Sequence, residues 1–84
     1  MKFCIVTFRS VMPAQKAEHL LKSAGLESKL GRTPRWMEEQ GCGYSLQIRY
    51  RDLHTAMEIL QKNRIPFRKA YLRSADGTME ALSL

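Results

Sequence analysis

The residue in this sequence whose setting most favours chemistry is Cys42, which stands between Gly41 and Gly43. Glycine permits tight and left-handed backbone conformations, so a thiol flanked by two glycines has little cover from its own chain. An accessible thiol acts as a nucleophile once it ionises. The alternative interpretation is a cysteine that packs as a small hydrophobic residue, as most free cysteines do.

Several residues near Cys42 in the predicted fold could stabilise its thiolate. A free cysteine has a pKa of about 8.5, and neighbouring arginines or a helix N-terminus lower that value because they stabilise the anion. We therefore predict a site in which Cys42 is the reacting thiolate. The predicted supporting residues are Gly41, Gly43, Arg35, Arg32, Arg9 and Ser10. Each arginine taken alone is more readily explained as a solvated surface charge, and only their convergence on one place favours a site.

The second cysteine, Cys4, lies in an apolar run and is predicted to pack in the core. It falls near the start of the first predicted strand, whereas Cys42 should neighbour the end of that strand. A disulfide needs Cα atoms within about 7 Å, so we expect no bond between the two. The histidines show no ligand spacing with either cysteine, and we expect neither a metal site nor a cofactor.

The elements that position Cys42 follow from hydrophobic periodicity and from cap and turn residues. Strands are predicted over residues 2–8, 44–50 and 67–73, with a weaker, irregular edge strand over 26–33. A first helix should start at the Ser10 cap and stop at Gly25, and a second should start at the Asp52 cap and end near Asn63.

The order of these elements is β-α-β-β-α-β, which predicts an α+β, ferredoxin-like sandwich with a four-stranded antiparallel sheet and two helices on one face. We expect a single domain over residues 1–84, with its core at about 2–73 and with 74–84 as a tail or an extra edge strand. In this fold the first and third strands are central neighbours. Cys42 is therefore predicted beside Arg9 and Ser10.

The bulk composition narrows the class of protein. The chain has 84 residues and a net charge of +6, so its surface should attract nucleic acid, phosphate or acidic partners. No window approaches the roughly 18 apolar residues of a membrane span, and the N-terminus has no signal-peptide pattern. We therefore expect a cytoplasmic protein with reduced cysteines.

Several segments together resemble a family of small bacterial proteins described as selenium or sulfur carrier-like. The resemblance covers about residues 2–72 and is most specific at Thr33-Pro34-Arg35 and at Cys42-Gly43 with their spacing. It also includes the strand Phe3 to Phe8, the run Leu20 to Leu26, the pair Asp52-Leu53 and the run Ala56 to Leu60. Trp36 and Gly41 depart from the family pattern.

The resemblance implies that Cys42 corresponds to the motif cysteine of the family and holds sulfur or selenium as a persulfide or selenopersulfide. The partners would be donor and acceptor proteins for that cargo. Such a protein is a carrier or accessory protein more readily than a stand-alone enzyme.

Two other functions remain open from the sequence. A basic βαββαβ domain could bind RNA through its open sheet face, but Leu46 and Arg49 stand where base-stacking aromatic residues are expected. A regulatory module that dimerises through the same face is the other alternative, because the first strand is apolar on both sides. The same apolar face makes a homodimer plausible.

Overall fold

A computed structural model of the chain describes residues 2–33 and 43–82. The strands are β1 (Phe3–Phe8), β2 (Ser28–Arg32), β3 (Tyr44–Arg49), β4 (Ala70–Arg73) and β5 (Met79–Leu82), and the helices are α1 (Val11–Ser23) and α2 (Leu53–Lys62). A short 3₁₀ turn, Tyr50–Asp52, leads into α2.

The strands form one antiparallel sheet in the order β2-β3-β1-β4-β5. The first four strands in that order, with α1 and α2, are the ferredoxin-like βαββαβ arrangement, and this prediction is confirmed. The C-terminal segment adds β5 beside β4, so the sheet has five strands rather than four. The Asp76-Gly77 turn leads into β5, and the Asp76 carboxylate accepts hydrogen bonds from the Thr78 N–H (3.0 Å) and hydroxyl (2.7 Å).

The core lies between the two helices and one face of the sheet. Side chains alternate between the two faces of a strand, so β1 directs Val6 and Phe8 toward the helices, and the register places Leu46 opposite Val6. The buried helix residues that complete the core share a helical spacing; they are Ala14, Ala17 and Leu21 of α1 and Ala56, Met57 and Leu60 of α2.

Helix α1 ends where the sequence predicts, at Gly25. Gly25 has φ +81°, its N–H donates to the Lys22 carbonyl, and the Leu26 N–H donates to the Leu21 carbonyl. This pair of bonds is the Schellman motif, in which glycine fits the left-handed position because it has no Cβ.

Helix α2 ends with the same pair of bonds around a residue that is not glycine. The Ile65 N–H donates to the Leu60 carbonyl and the Arg64 N–H donates to the Gln61 carbonyl, while Arg64 has φ +54°. A side chain in the left-handed region costs about 1–2 kcal/mol. Arg64 is therefore a strained helix end.

The two predicted helix caps are correct in position but not in chemistry. Ser10 precedes α1 and Asp52 precedes α2, yet neither side chain makes a capping hydrogen bond. Asp52 instead has a carboxylate oxygen 4.0 Å from Nε of Arg51. The side-chain oxygen of Ser10 thus makes no hydrogen bond to the first backbone N–H groups of α1.

Two strands differ from their predicted form. Strand β2 was expected to be irregular at Gly31, but Gly31 pairs with Ser45 in a continuous register with β3. Strand β4 starts at Ala70 rather than at Phe67, because the two preceding residues both bond to one residue of β1. The Arg68 N–H donates to the Thr7 carbonyl, and the Thr7 N–H donates to the Lys69 carbonyl, an arrangement like a β-bulge.

Neither helix in the described part of the chain is long and apolar enough to cross a membrane.

Candidate functional site

One end of the sheet collects the described residues that the sequence predicts around Cys42. Tyr44 at the start of β3 pairs with Phe8 at the end of β1 and with Arg32 at the end of β2. Arg9 and Ser10 follow Phe8 directly in sequence, and Gly43 precedes Tyr44. The fold therefore places Arg9, Ser10, Arg32 and Gly43 at the same end of three neighbouring strands.

A backbone hydrogen bond joins the two sequence segments on either side of the predicted thiol loop. The Thr33 N–H donates to the Gly43 carbonyl at 3.0 Å, and both residues are buried. This bond extends the β2–β3 ladder beyond Arg32 and Tyr44. As a result, the Thr of Thr-Pro-Arg and the Gly of Cys-Gly are held together although nine residues separate them in sequence.

The side chain of Thr33 is unusual among the described residues. Thr33 is only 9% exposed, and its hydroxyl has no hydrogen-bond partner there. A buried hydroxyl without a partner costs about 1–3 kcal/mol, so such groups are rare in folded proteins. Any hydrogen-bond partner of the Thr33 hydroxyl therefore lies outside residues 2–33 and 43–82.

Arg32 lies over the aromatic ring of its cross-strand neighbour. Its guanidinium carbon is 5.9 Å from the centre of the Tyr44 ring, which is within the range of a cation–π contact. The residue is otherwise exposed. The contact keeps a positive charge at the end of β2, beside the Thr33–Gly43 hydrogen bond.

Arg9 and Ser10 line a surface cleft with a volume of about 570 Å³. The cleft lies between the start of α1 and the connection from α2 to β4. Three further cations line it: Lys16, Arg64 and Arg68. Arg9 thus belongs to a wider basic surface than the predicted site.

The other predicted site residues, Cys42, Gly41 and Arg35, lie outside the described residues. Their assignment as thiolate and supporting groups stays a prediction.

Cys4 is confirmed as a core residue. It is fully buried in β1, and burial raises the pKa of its thiol because the thiolate would lose hydration. A thiol in this environment is a poor nucleophile at neutral pH. No group of three or more His, Cys, Asp or Glu residues that could hold a metal ion is found within residues 2–33 and 43–82.

The sheet geometry also bears on RNA binding. Tyr44 and Leu46 pair with Phe8 and Val6, and all four side chains lie on the face that the helices cover. Leu46 is fully buried. The start of β3 therefore presents no aromatic platform on the open face of the sheet, and base stacking there finds no support.

The sheet topology and the two helices on one face define a small ferredoxin-like α+β domain with exposed arginines at one end of the sheet. The family described as "Putative Se/S carrier protein-like" matches residues 3–72, so the chain belongs to this family. No curated protein and no solved structure matches the chain. The match ends within β4, and β5 lies beyond it.

Two features of this region were not predicted from the sequence. The first is the cleft, whose two walls lie more than 45 positions apart in sequence, so hydrophobic periodicity could not reveal it. The sequence feature that pointed toward a basic surface there was the pair Arg64 and Arg68 around Ile65-Pro66-Phe67. The second feature is the Thr33 hydroxyl, which is buried without a partner among the described residues; this burial depends on tertiary structure, and no sequence pattern reports it.

Proposed function

We propose that this chain carries sulfur or selenium on Cys42 and passes it between a donor and an acceptor protein. The Cys42 thiol first loses its proton to solvent. The thiolate then attacks the terminal sulfur of a donor persulfide; a new S–S bond forms at Cys42 while the S–S bond of the donor breaks, and the donor leaves as a thiolate.

The second step returns the carrier to its starting state. A nucleophile of the acceptor attacks the terminal sulfur, the S–S bond at Cys42 breaks, and the Cys42 thiolate is released. The carrier undergoes no net oxidation or reduction over the cycle. A selenopersulfide would follow the same two steps.

The observation that carries this proposal is the hydrogen bond from the Thr33 N–H to the Gly43 carbonyl, at 3.0 Å. It joins Thr33 and Gly43, the residues directly before and after the segment 34–42 that contains Cys42. Membership of the selenium or sulfur carrier-like family over residues 3–72 supports the same function.

The charges at this end of the sheet suit an anionic cargo. Arg32 ends β2 and Arg9 follows β1, and both are exposed. Cations close to a persulfide favour its ionised form in the same way that they favour a thiolate. We infer that Arg32, Arg9 and Arg35 stabilise the loaded anion, while Gly41 and Gly43 let the active site of a partner approach.

Incubation with a small-molecule persulfide, such as glutathione persulfide, tests the proposal. Intact mass spectrometry should show the addition of one sulfur atom to the wild-type chain and to Cys4→Ser, and no addition to Cys42→Ser. The Cys4→Ser variant is the matched control, because it removes the other thiol of the chain. An adduct that persists in Cys42→Ser, or the absence of any adduct on wild type, would refute sulfur carriage by Cys42.

A further inference from the structure

The basic cleft described above has the size and lining of a ligand site. Its volume of about 570 Å³ lies within the range of about 300–1,000 Å³ that is typical of small-molecule pockets. One wall is the first turns of α1, and the other is the segment of residues 63–68 that joins α2 to β4. Two elements distant in sequence therefore enclose it.

The charges on the cleft are of one sign. Arg9, Lys16, Arg64 and Arg68 line it, and no described carboxylate does. Glu27 and Arg49, which form an ion pair at 2.7 Å, lie outside the cleft. Like charges in one cleft repel each other, and an anion bound between them relieves that repulsion.

The cleft is also apolar between its cations. Met12 lies at the start of α1 and is 64% exposed, and Phe67 is half-buried on the opposite wall. Pro13 and Pro66 add two rigid apolar surfaces. An inorganic anion alone would leave this surface in water, whereas a ligand with a flat apolar part would cover it.

The backbone at Arg64 gives an independent indication. Arg64 occupies a left-handed position, φ +54°, where glycine fits without strain, as Gly25 does at the corresponding position of α1. Strained positions of this kind cluster at binding sites. Here the arginine side chain places a guanidinium on the cleft that a glycine would not provide.

We propose that this cleft binds a phosphorylated small molecule with a flat apolar body, and that a mononucleotide is the class that meets both requirements. The phosphates bind Arg9, Lys16 and Arg64, and the base covers Met12 and Phe67. This binding goes beyond sulfur or selenium carriage and does not require Cys42, although Arg9 and Ser10 contribute to both regions.

Isothermal titration with ATP, AMP, adenosine and pyrophosphate tests the cleft in the full-length chain. We expect saturable binding of ATP, weaker binding of AMP and pyrophosphate, and no binding of adenosine. Arg64→Gly should weaken ATP binding at least tenfold, because it removes one charged contact while its backbone suits the left-handed position. Lys16→Ala should weaken it several-fold, and Met12→Ala should reduce the preference for ATP over pyrophosphate.

Arg73→Ala is the matched control. Arg73 is an exposed cation of β4 that pairs with Phe3 at the start of β1, and it does not line the cleft. This variant should change ATP binding less than twofold, and Cys42→Ser should leave it unchanged. Equal weakening by Arg73→Ala and Arg64→Gly would show a diffuse charge effect and overturn the site. Equal affinity for pyrophosphate and ATP would overturn the apolar part of the proposal. Tight binding of an RNA oligomer without any binding of ATP would overturn the proposed mononucleotide site.

Discussion

At the scale of single residues, the two cysteines of this chain have opposite predicted roles. Cys4 is fully buried in the central strand β1, and burial raises the pKa of its thiol. Cys42 follows Gly41 and precedes Gly43, whose carbonyl accepts a hydrogen bond from the Thr33 N–H. The chain thus supplies an internal reference thiol for any measurement of cysteine reactivity.

Alkylation with iodoacetamide across a pH series should separate the two thiols. We expect Cys42 to react with a midpoint below about 8.5, the pKa of an ordinary thiol, because cations at the end of the sheet stabilise its thiolate. Cys4 should stay unmodified in the folded protein. Peptide mass spectrometry measures each site separately.

Two arginine variants test the cause of that shift. Arg32→Gln should raise the midpoint for Cys42, whereas Arg73→Gln, which changes an exposed arginine in β4, should not. A wild-type midpoint at the value of an ordinary thiol would argue against activation by these charges.

Burial of Cys4 also predicts how stability depends on pH. The pKa of its thiol is raised in the folded state, so the unfolded chain releases this proton first, above about pH 8.5. The contribution of Cys4 to stability is therefore fully present below that pH. It is lost as pH rises toward the folded-state pKa, by at most about 1.4 kcal/mol per pH unit.

The comparison of wild type with Cys4→Ala isolates this effect, because the ionisation of Cys42 and of the lysines is common to both chains. Urea unfolding should show wild type as the more stable chain near neutral pH, with the difference narrowing above about pH 8.5. A difference that stays constant over the same range would contradict the raised pKa.

At the scale of elements, the parts of the fold that depend on local sequence were predictable and the parts that depend on tertiary contacts were not. The alternation around Leu46 defined β3, and Gly25 defined the end of α1. The late start of β4 was missed because Arg68 and Lys69 both bond to Thr7, a contact over more than 60 residues. Helix α2 ends near Asn63 as expected, but no residue propensity predicts the left-handed backbone of Arg64 that follows it.

The candidate site was predictable to a similar extent. The βαββαβ order was sufficient to bring Arg9, Ser10, Arg32 and Gly43 to one end of the sheet, since strand order fixes which strand ends are neighbours. The orientation of Arg32 over Tyr44 requires side-chain packing, which strand order does not determine. The ionisation of Cys42 requires a measurement on the thiol itself.

The left-handed backbone of Arg64 at the end of α2 leads us to predict a stabilising substitution at this position. Arg64→Gly should raise the free energy of unfolding by about 0.5–1 kcal/mol, because relief of about 1–2 kcal/mol of left-handed strain exceeds the added flexibility of glycine in the unfolded chain. Arg64→Ala removes the same charge but keeps a Cβ in the left-handed position, and so it should not gain this stability. Equal stability of the two variants in urea would mean that backbone strain at Arg64 is negligible.

At the scale of the whole molecule, the large apolar residues on the open face of the sheet are buried or only partly exposed. The two large hydrophobic residues that are well exposed in the described chain, Met12 and Tyr50, both lie outside the sheet. On the open face, Phe3, Tyr71 and Met79 are only partly exposed. A homodimer through this face stays a prediction, and multi-angle light scattering would measure it.

Removal of the fifth strand tests how far the stability of the fold depends on residues beyond the family match. A chain that ends at Ser74 retains β1 to β4 and both helices, so we expect it to fold cooperatively. It loses the β4–β5 hydrogen bonds and the packing of the half-buried Leu82 against the core, and its free energy of unfolding should fall by about 1–3 kcal/mol. Leu82→Ala in the full-length chain is the matched variant, because it removes only the packing and should cost less. If the shortened chain shows no cooperative urea transition, β5 is an integral part of this domain, and the four-stranded unit does not suffice for folding.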